Sequence, residues 1–189
     1  YSPAFAFFFG PILLLPISTL VPLLVILHIV AYILFYSWWN RIFERCNLHN
    51  AAIIWAKMLP IFLVFTVFWD DLAYMNIYLI VALFSTFAID AVLHENLAWG
   101  SFWLGAVILP IKPHWAFVLA LPLLLGRYKF FLKLLLGTIV AYLAVAGITI
   151  LAGGVGYGLQ QYQGYVAFIA RLSRDFPWWG PDKPFLGYN

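Results

Sequence analysis

The chain has 189 residues, of which 66% are hydrophobic, 20% aromatic and 9% charged, with a mean hydropathy of +0.98. That balance excludes a soluble globular domain and points to an all-α, polytopic membrane protein. The net charge of +3 is small and scattered, which argues against nucleic acid as a partner, and the single Cys46 excludes an internal disulfide or a cysteine metal cluster.

Tyr1-Ser2-Pro3 opens the chain without an initiator methionine or a signal peptide, so a piece of a longer protein is expected. The apolar run that follows, up to Pro16, is cut by Gly10-Pro11. At about a dozen residues it is shorter than a span, and a re-entrant or interfacial segment is expected. Residues 17–39 make a full span that ends on the interfacial pair Trp38-Trp39. His28, inside it, reads as a histidine bonded to a neighbouring helix. Arg41, Glu44, Arg45 and His49 form a short basic loop. Spans are expected over 51–69 and 72–93, separated by the acidic turn Asp70-Asp71. The second of these carries Asn76 in its first turn and Asp90 in its last.

The stretch 97–125 is apolar except for Lys112, which is followed by Pro113, His114 and Trp115. A cation inside an apolar run is expensive and marks a functional site by default. Proline beside it breaks the helix and frees backbone groups, which is tolerated only where protein or a water-filled cavity satisfies them. A second basic loop, Arg127, Lys129 and Lys133, leads into a span over 130–152. In the tail, Tyr162, Tyr165, Val166, Ile169 and Leu172 share one helical face, which predicts an amphipathic helix on the membrane surface. An aromatic, proline-stiffened loop over 175–184 follows. The expected division is a transmembrane domain over 1–154 and an extracytoplasmic helix and loop over 155–189.

Lysine and arginine mark cytoplasmic loops, so both basic loops belong on the inside. The stretch 97–125 then starts and ends inside. It is expected to be a hairpin of two half-helices, each of about 13 residues and about 20 Å long, with Lys112-Pro113 at its tip. Asp70, Asp71, Asn76, Lys112, His114, the tail helix and Tyr1 all gather on the non-cytoplasmic face.

These residues resemble a family. Tyr1-Ser2-Pro3, the apolar run and Pro11 to Leu15-Pro16 look like the Tyr-x-Pro and Pro-x-x-x-Leu-Pro segments of glycosyltransferase family 87. Ala73-Tyr74-Met75-Asn76 sits where that family has Gly-Gln-x-Asn. Ile111-Lys112-Pro113 matches its Lys-Pro element, and Gly187-Tyr188-Asn189 fits the start of its Asn-x-Ser segment. Tyr74 stands where glutamine is usual.

The resemblance implies a GT-C-like fold and an integral, multi-pass protein of the cell (inner) membrane. It implies a polyprenyl-phosphate sugar as donor, with membrane lipids around it. The expected activity is transfer of a hexose, mannose first among candidates, to a lipid or glycan acceptor outside the cytoplasm. The catalytic aspartate of such enzymes lies in their first outer loop, upstream of Tyr1. Lys112, helped by His114, is the expected donor-phosphate site; Tyr1, Asp70, Asp71 and Asn76 are substrate-binding candidates. No cofactor and no metal are inferred. The alternative is a non-catalytic subunit of similar fold within a larger assembly of membrane subunits. A transporter would need inverted repeats, and no convincing self-similarity is seen.

Overall fold

A computed structural model describes residues 2–74 and 76–174, and these form helices and no strands. The order is α1 (Pro3–Phe9), a 3-10 turn (Gly10–Leu14), α2 (Ile17–Arg45), α3 (His49–Lys57), α4 (Leu59–Leu63), α5 (Thr66–Ala73) and α6 (Tyr78–Leu93). A broken hairpin follows. Its first arm is α7 (Leu97–Ser101), a π-helical stretch (Phe102–Ile108) and α8 (Leu109–Ile111); its second is a 3-10 stretch (Pro113–Ala120) and α9 (Leu121–Leu124). The long α10 (Tyr128–Gly153) and α11 (Val155–Arg174) complete the described residues.

Among the described residues α2 and α10, with 29 and 26 residues, are long and apolar enough to cross a membrane. A third crossing exists if the pair His49–Lys57 and Leu59–Ala73, bent by 47°, is one span. The expected span over 51–69 is therefore broken. Pro60 cannot donate to the carbonyl four residues back, and the helix turns there. α6 has 16 residues and starts at Tyr78 rather than at 72. Asp70 and Asp71, expected in a turn, lie inside α5, and the Asp71 carboxylate accepts from the main-chain N–H groups of Tyr78, at 3.3 Å, and Leu79, at 2.9 Å, which fixes the first turn of α6.

The core lies between α6, the hairpin and α10, where Ala88, Val92, Leu104, Ile108, Val118, Phe130 and Leu134 are buried together. Leu132, Leu136 and Leu143 on α10 are about 60% exposed, the surface a bilayer would cover. Small residues bring the first arm against α10. A Cβ on Gly105 would strike the Thr138 carbonyl and come within 2.8 Å of the Ala141 Cβ, and one on Gly137 would strike Ser101. Ser101 and Gly105 thus face Gly137 and Ala141, a small-residue seam of the kind that lets membrane helices approach closely.

Both ends of the hairpin sit at one end of the molecule. Arg127, just after the second arm, donates to the carbonyl of Leu93 at 3.0 Å and pairs with Glu95 at 3.3 Å. Arg45, from the other basic loop, pairs with Asp90 at the same end of α6 at 3.0 Å. α11 folds back on α10: Tyr162 and Thr149 share a hydroxyl hydrogen bond of 3.0 Å. Val166 and Ile169 are exposed on that helix. The aromatic loop expected over 175–184 lies outside the described residues.

Candidate functional site at the hairpin tip

The site begins with a consequence of proline. Pro113 has no N–H and forces the residue before it out of the helical region. Lys112 accordingly takes an extended backbone, φ −143° and ψ 96°, which ends the first arm. The carbonyl of Pro110 then has no donor three residues on. Ser2 supplies one: its buried hydroxyl donates to that carbonyl at 2.5 Å and its N–H donates at 3.3 Å. The Ser-Pro of the opening motif is therefore bolted to the hairpin tip.

The half-buried Lys112 lays its ammonium 3.3 Å from the centroid of the Tyr78 ring. A cation over an aromatic face is attracted by the ring's negative quadrupole. Tyr78 is the first residue of α6, and its own N–H is held by Asp71. Asp71 is 5% exposed and lies 3.8 Å from Nε2 of His28, which is fully buried. The two ring nitrogens of His28 face the carbonyls of Leu24, at 2.7 Å, and Asn76, at 2.5 Å. A continuous run of contacts thus ties α2 through His28, Asp71 and Asn76 to Tyr78 and Lys112.

The structure brings Lys112, Asp71 and Asn76 into this one network. Asp71 is occupied in capping α6, whereas Asp70, one residue earlier, is exposed. His114 is exposed beside Lys112 at the tip. Partial burial, and then the nearby Lys112 charge, lower its pKa, so at neutral pH it is an uncharged hydrogen-bonding group next to a fixed cation. Tyr1 lies outside the described residues.

Three contributors were not singled out from the sequence: Tyr78, Ser2 as an individual residue, and the carbonyl of Pro110. The signal for Tyr78 was present, since it lies two residues after Asn76, but nothing in the spacing shows which ring meets the lysine. Pro113 did announce freed backbone groups at the break. Which group would satisfy the Pro110 carbonyl, 108 residues away in the chain, is a tertiary fact.

A held ammonium at a helix break, with a neutral imidazole beside it, can bind a phosphate-bearing group. Comparison with known proteins adds the chemical class. The sequence matches the family model of glycosyltransferase family 87 over residues 1–183. No curated protein and no solved structure matches the chain.

Proposed function

The chain belongs to glycosyltransferase family 87, which implies a membrane glycosyltransferase, and from that premise we propose that it transfers a hexose, mannose first among candidates, from a polyprenyl-phosphate donor to a lipid or glycan acceptor on the non-cytoplasmic side. The observation that carries this reading is the Lys112 ammonium held over Tyr78 at the hairpin tip. In the transfer, the bond from the sugar's anomeric carbon to the donor phosphate breaks and a bond to the acceptor oxygen forms. The phosphate leaves with the electron pair, and a cation at that position stabilises its growing charge. The acceptor's proton goes to a carboxylate base, which this reading takes to be an aspartate of an outer loop.

Lys112 is the phosphate group's partner in this reading, and His114 offers it a hydrogen bond. Asn76 and the exposed Asp70 are the candidates for sugar or acceptor hydroxyls in this reading. Asp71 acts indirectly, by fixing the first turn of α6 and so the Tyr78 ring. The two basic segments sit together at the end of the molecule away from Lys112, and this reading takes that end as the cytoplasmic side of a multi-pass protein of the inner membrane.

The second reading, a non-catalytic subunit, is favoured by Tyr74, which is 69% exposed where the family has glutamine. The two are separated by supplying the full-length protein in membranes with labelled polyprenyl-phosphate hexoses and a lipid and glycan extract. Transfer of label to an extracted acceptor is expected. A folded protein that transfers no hexose would leave the subunit reading.

A further inference from the structure

At the far end of α6 from Lys112 lies a cavity of about 490 Å³ that the transferase reading does not use. Three elements build it: α2 with Trp38 and Arg45, α6 with Phe87, Asp90 and His94, and the start of the hairpin with Trp99 and Trp103. Tyr78 and Asp90 are separated along one helix by about 18 Å, so the cavity and the Lys112 site are distinct.

The polar wall is assembled around Asp90. Its carboxylate accepts from Nε1 of Trp38 at 3.1 Å and from Nη1 of Arg45 at 3.0 and 3.3 Å, with Nδ1 of His94 at 3.3 Å. Asp90 is thereby neutralised, and only 11% of its side chain is exposed, against 49% for Arg45. Arg45 engages Asp90 through one terminal nitrogen; among the described residues no contact occupies the rest of its guanidinium edge. Arg41, one turn back on the same helix, is exposed, with its guanidinium 5.1 Å from the centroid of the ring of Trp38, which lines the cavity. Of the nearby acids, Glu95 pairs with Arg127, and Glu44 accepts a hydrogen bond from Asn40.

Apart from Ala91 and Asn96, whose side-chain oxygen accepts from the Trp99 N–H at 3.1 Å, the rest of the wall is aromatic and runs outward to an apolar flank. Trp99 is 54% exposed, and Phe102 and Leu97 beside it are also exposed. A free anion would gain nothing from three indoles and an open apolar flank. A lipid gains from both: its phosphodiester meets the arginines while its glycerol and upper acyl chain lie on the tryptophans. We propose that this cavity binds the headgroup of an anionic phospholipid of the surrounding leaflet, with Arg45 and Arg41 on its phosphate and Trp99 and Trp103 against its chains. The site is independent of transfer chemistry and holds whether or not the chain is catalytic.

The test is native mass spectrometry of the purified full-length protein titrated with phosphatidylglycerol or phosphatidylcholine. Phosphatidylglycerol should be retained roughly ten-fold more tightly, the scale of one charge-assisted contact. Arg45→Gln should erase that preference, and Trp99→Ala should weaken retention of both lipids. Because Arg45 also pairs with Asp90, Arg41→Gln, at an exposed residue with no ion pair to Asp90, provides a second variant, and its preference should fall several-fold. Inorganic phosphate at millimolar concentration should not displace the lipid. Equal retention of the two lipids by the parent overturns the proposal, as does an unchanged preference in Arg41→Gln. Displacement by inorganic phosphate overturns it in favour of a free-anion site.

Discussion

At Asp71 both carboxylate oxygens take main-chain N–H groups of the next helix, and His28 approaches from α2. At Asp70 the side chain is exposed. The sequence presents the two as equivalent members of an acidic turn, because charge and hydropathy are the same and only the register of the turn separates them. Their substitutions should therefore differ. Asp71→Ala should cost about 1–2 kcal/mol, the loss of a helix cap with its buried N–H groups left unpaired. Asp70→Ala should stay within about 0.5 kcal/mol, as exposed substitutions do. Denaturation of the two variants in detergent measures the difference, and equal midpoints would remove Asp71 from the account of how Tyr78 is held. His28 was legible as a structural histidine, since a buried ring in a span must find partners; these are the Leu24 carbonyl of its own helix and the Asn76 carbonyl of the segment before α6.

Among the elements, the hairpin was the most legible. Lys112-Pro113 fixes the break chemically, and the two basic loops require a return to the starting side. The π-helical stretch within its first arm was not, because hydropathy carries no information about how closely two backbones approach. That approach is set by Gly105 and Gly137. Replacing Gly105 by leucine should destabilise the packing by about 1–3 kcal/mol, since the added atoms meet the α10 backbone rather than a flexible side chain. Gly147→Leu is the control, because nothing lies within 4 Å of a Cβ there. Equal thermal stability of the two variants in detergent would count against the seam. The bend near Met58 shows the opposite kind of miss. Pro60 was visible, but the run 51–69 was long enough to read as one span, and length outweighed a single proline. The late start of α6 has the same character: the residues over 72–77 are apolar enough for a helix, yet Asp71 places the cap at Tyr78.

For the whole molecule, composition settled an all-helical membrane protein, and the family match over residues 1–183 supplied the chemical class. The geometry joining Ser2, Pro110, Lys112 and Tyr78 was beyond reach of the sequence because it depends on contacts between distant segments. Orientation is open to direct labelling. With Cys46 replaced by serine, a cysteine at Asp70 should react with an impermeant thiol reagent applied outside, and one at Lys129 should not. Outside labelling at position 129 would turn the hairpin into a crossing and place Lys112 inside the membrane rather than at its outer surface.

The central claim is that Lys112 meets the phosphate of a polyprenyl-phosphate donor, and the direct measurement is equilibrium binding of a polyprenyl-phosphate analogue to the full-length protein and to Lys112→Met. Methionine keeps the stem and removes the charge. A charge-assisted contact of about 1.5–3 kcal/mol predicts a roughly ten- to hundred-fold loss of affinity, with Lys112→Arg retaining part of it. The Met variant should insert and fold at least as well as the parent, because a half-buried charge has been removed. Equal binding by parent and Lys112→Met, or no binding by the parent, would contradict the claim and leave Lys112 as a snorkelling lysine that merely ends a half-helix.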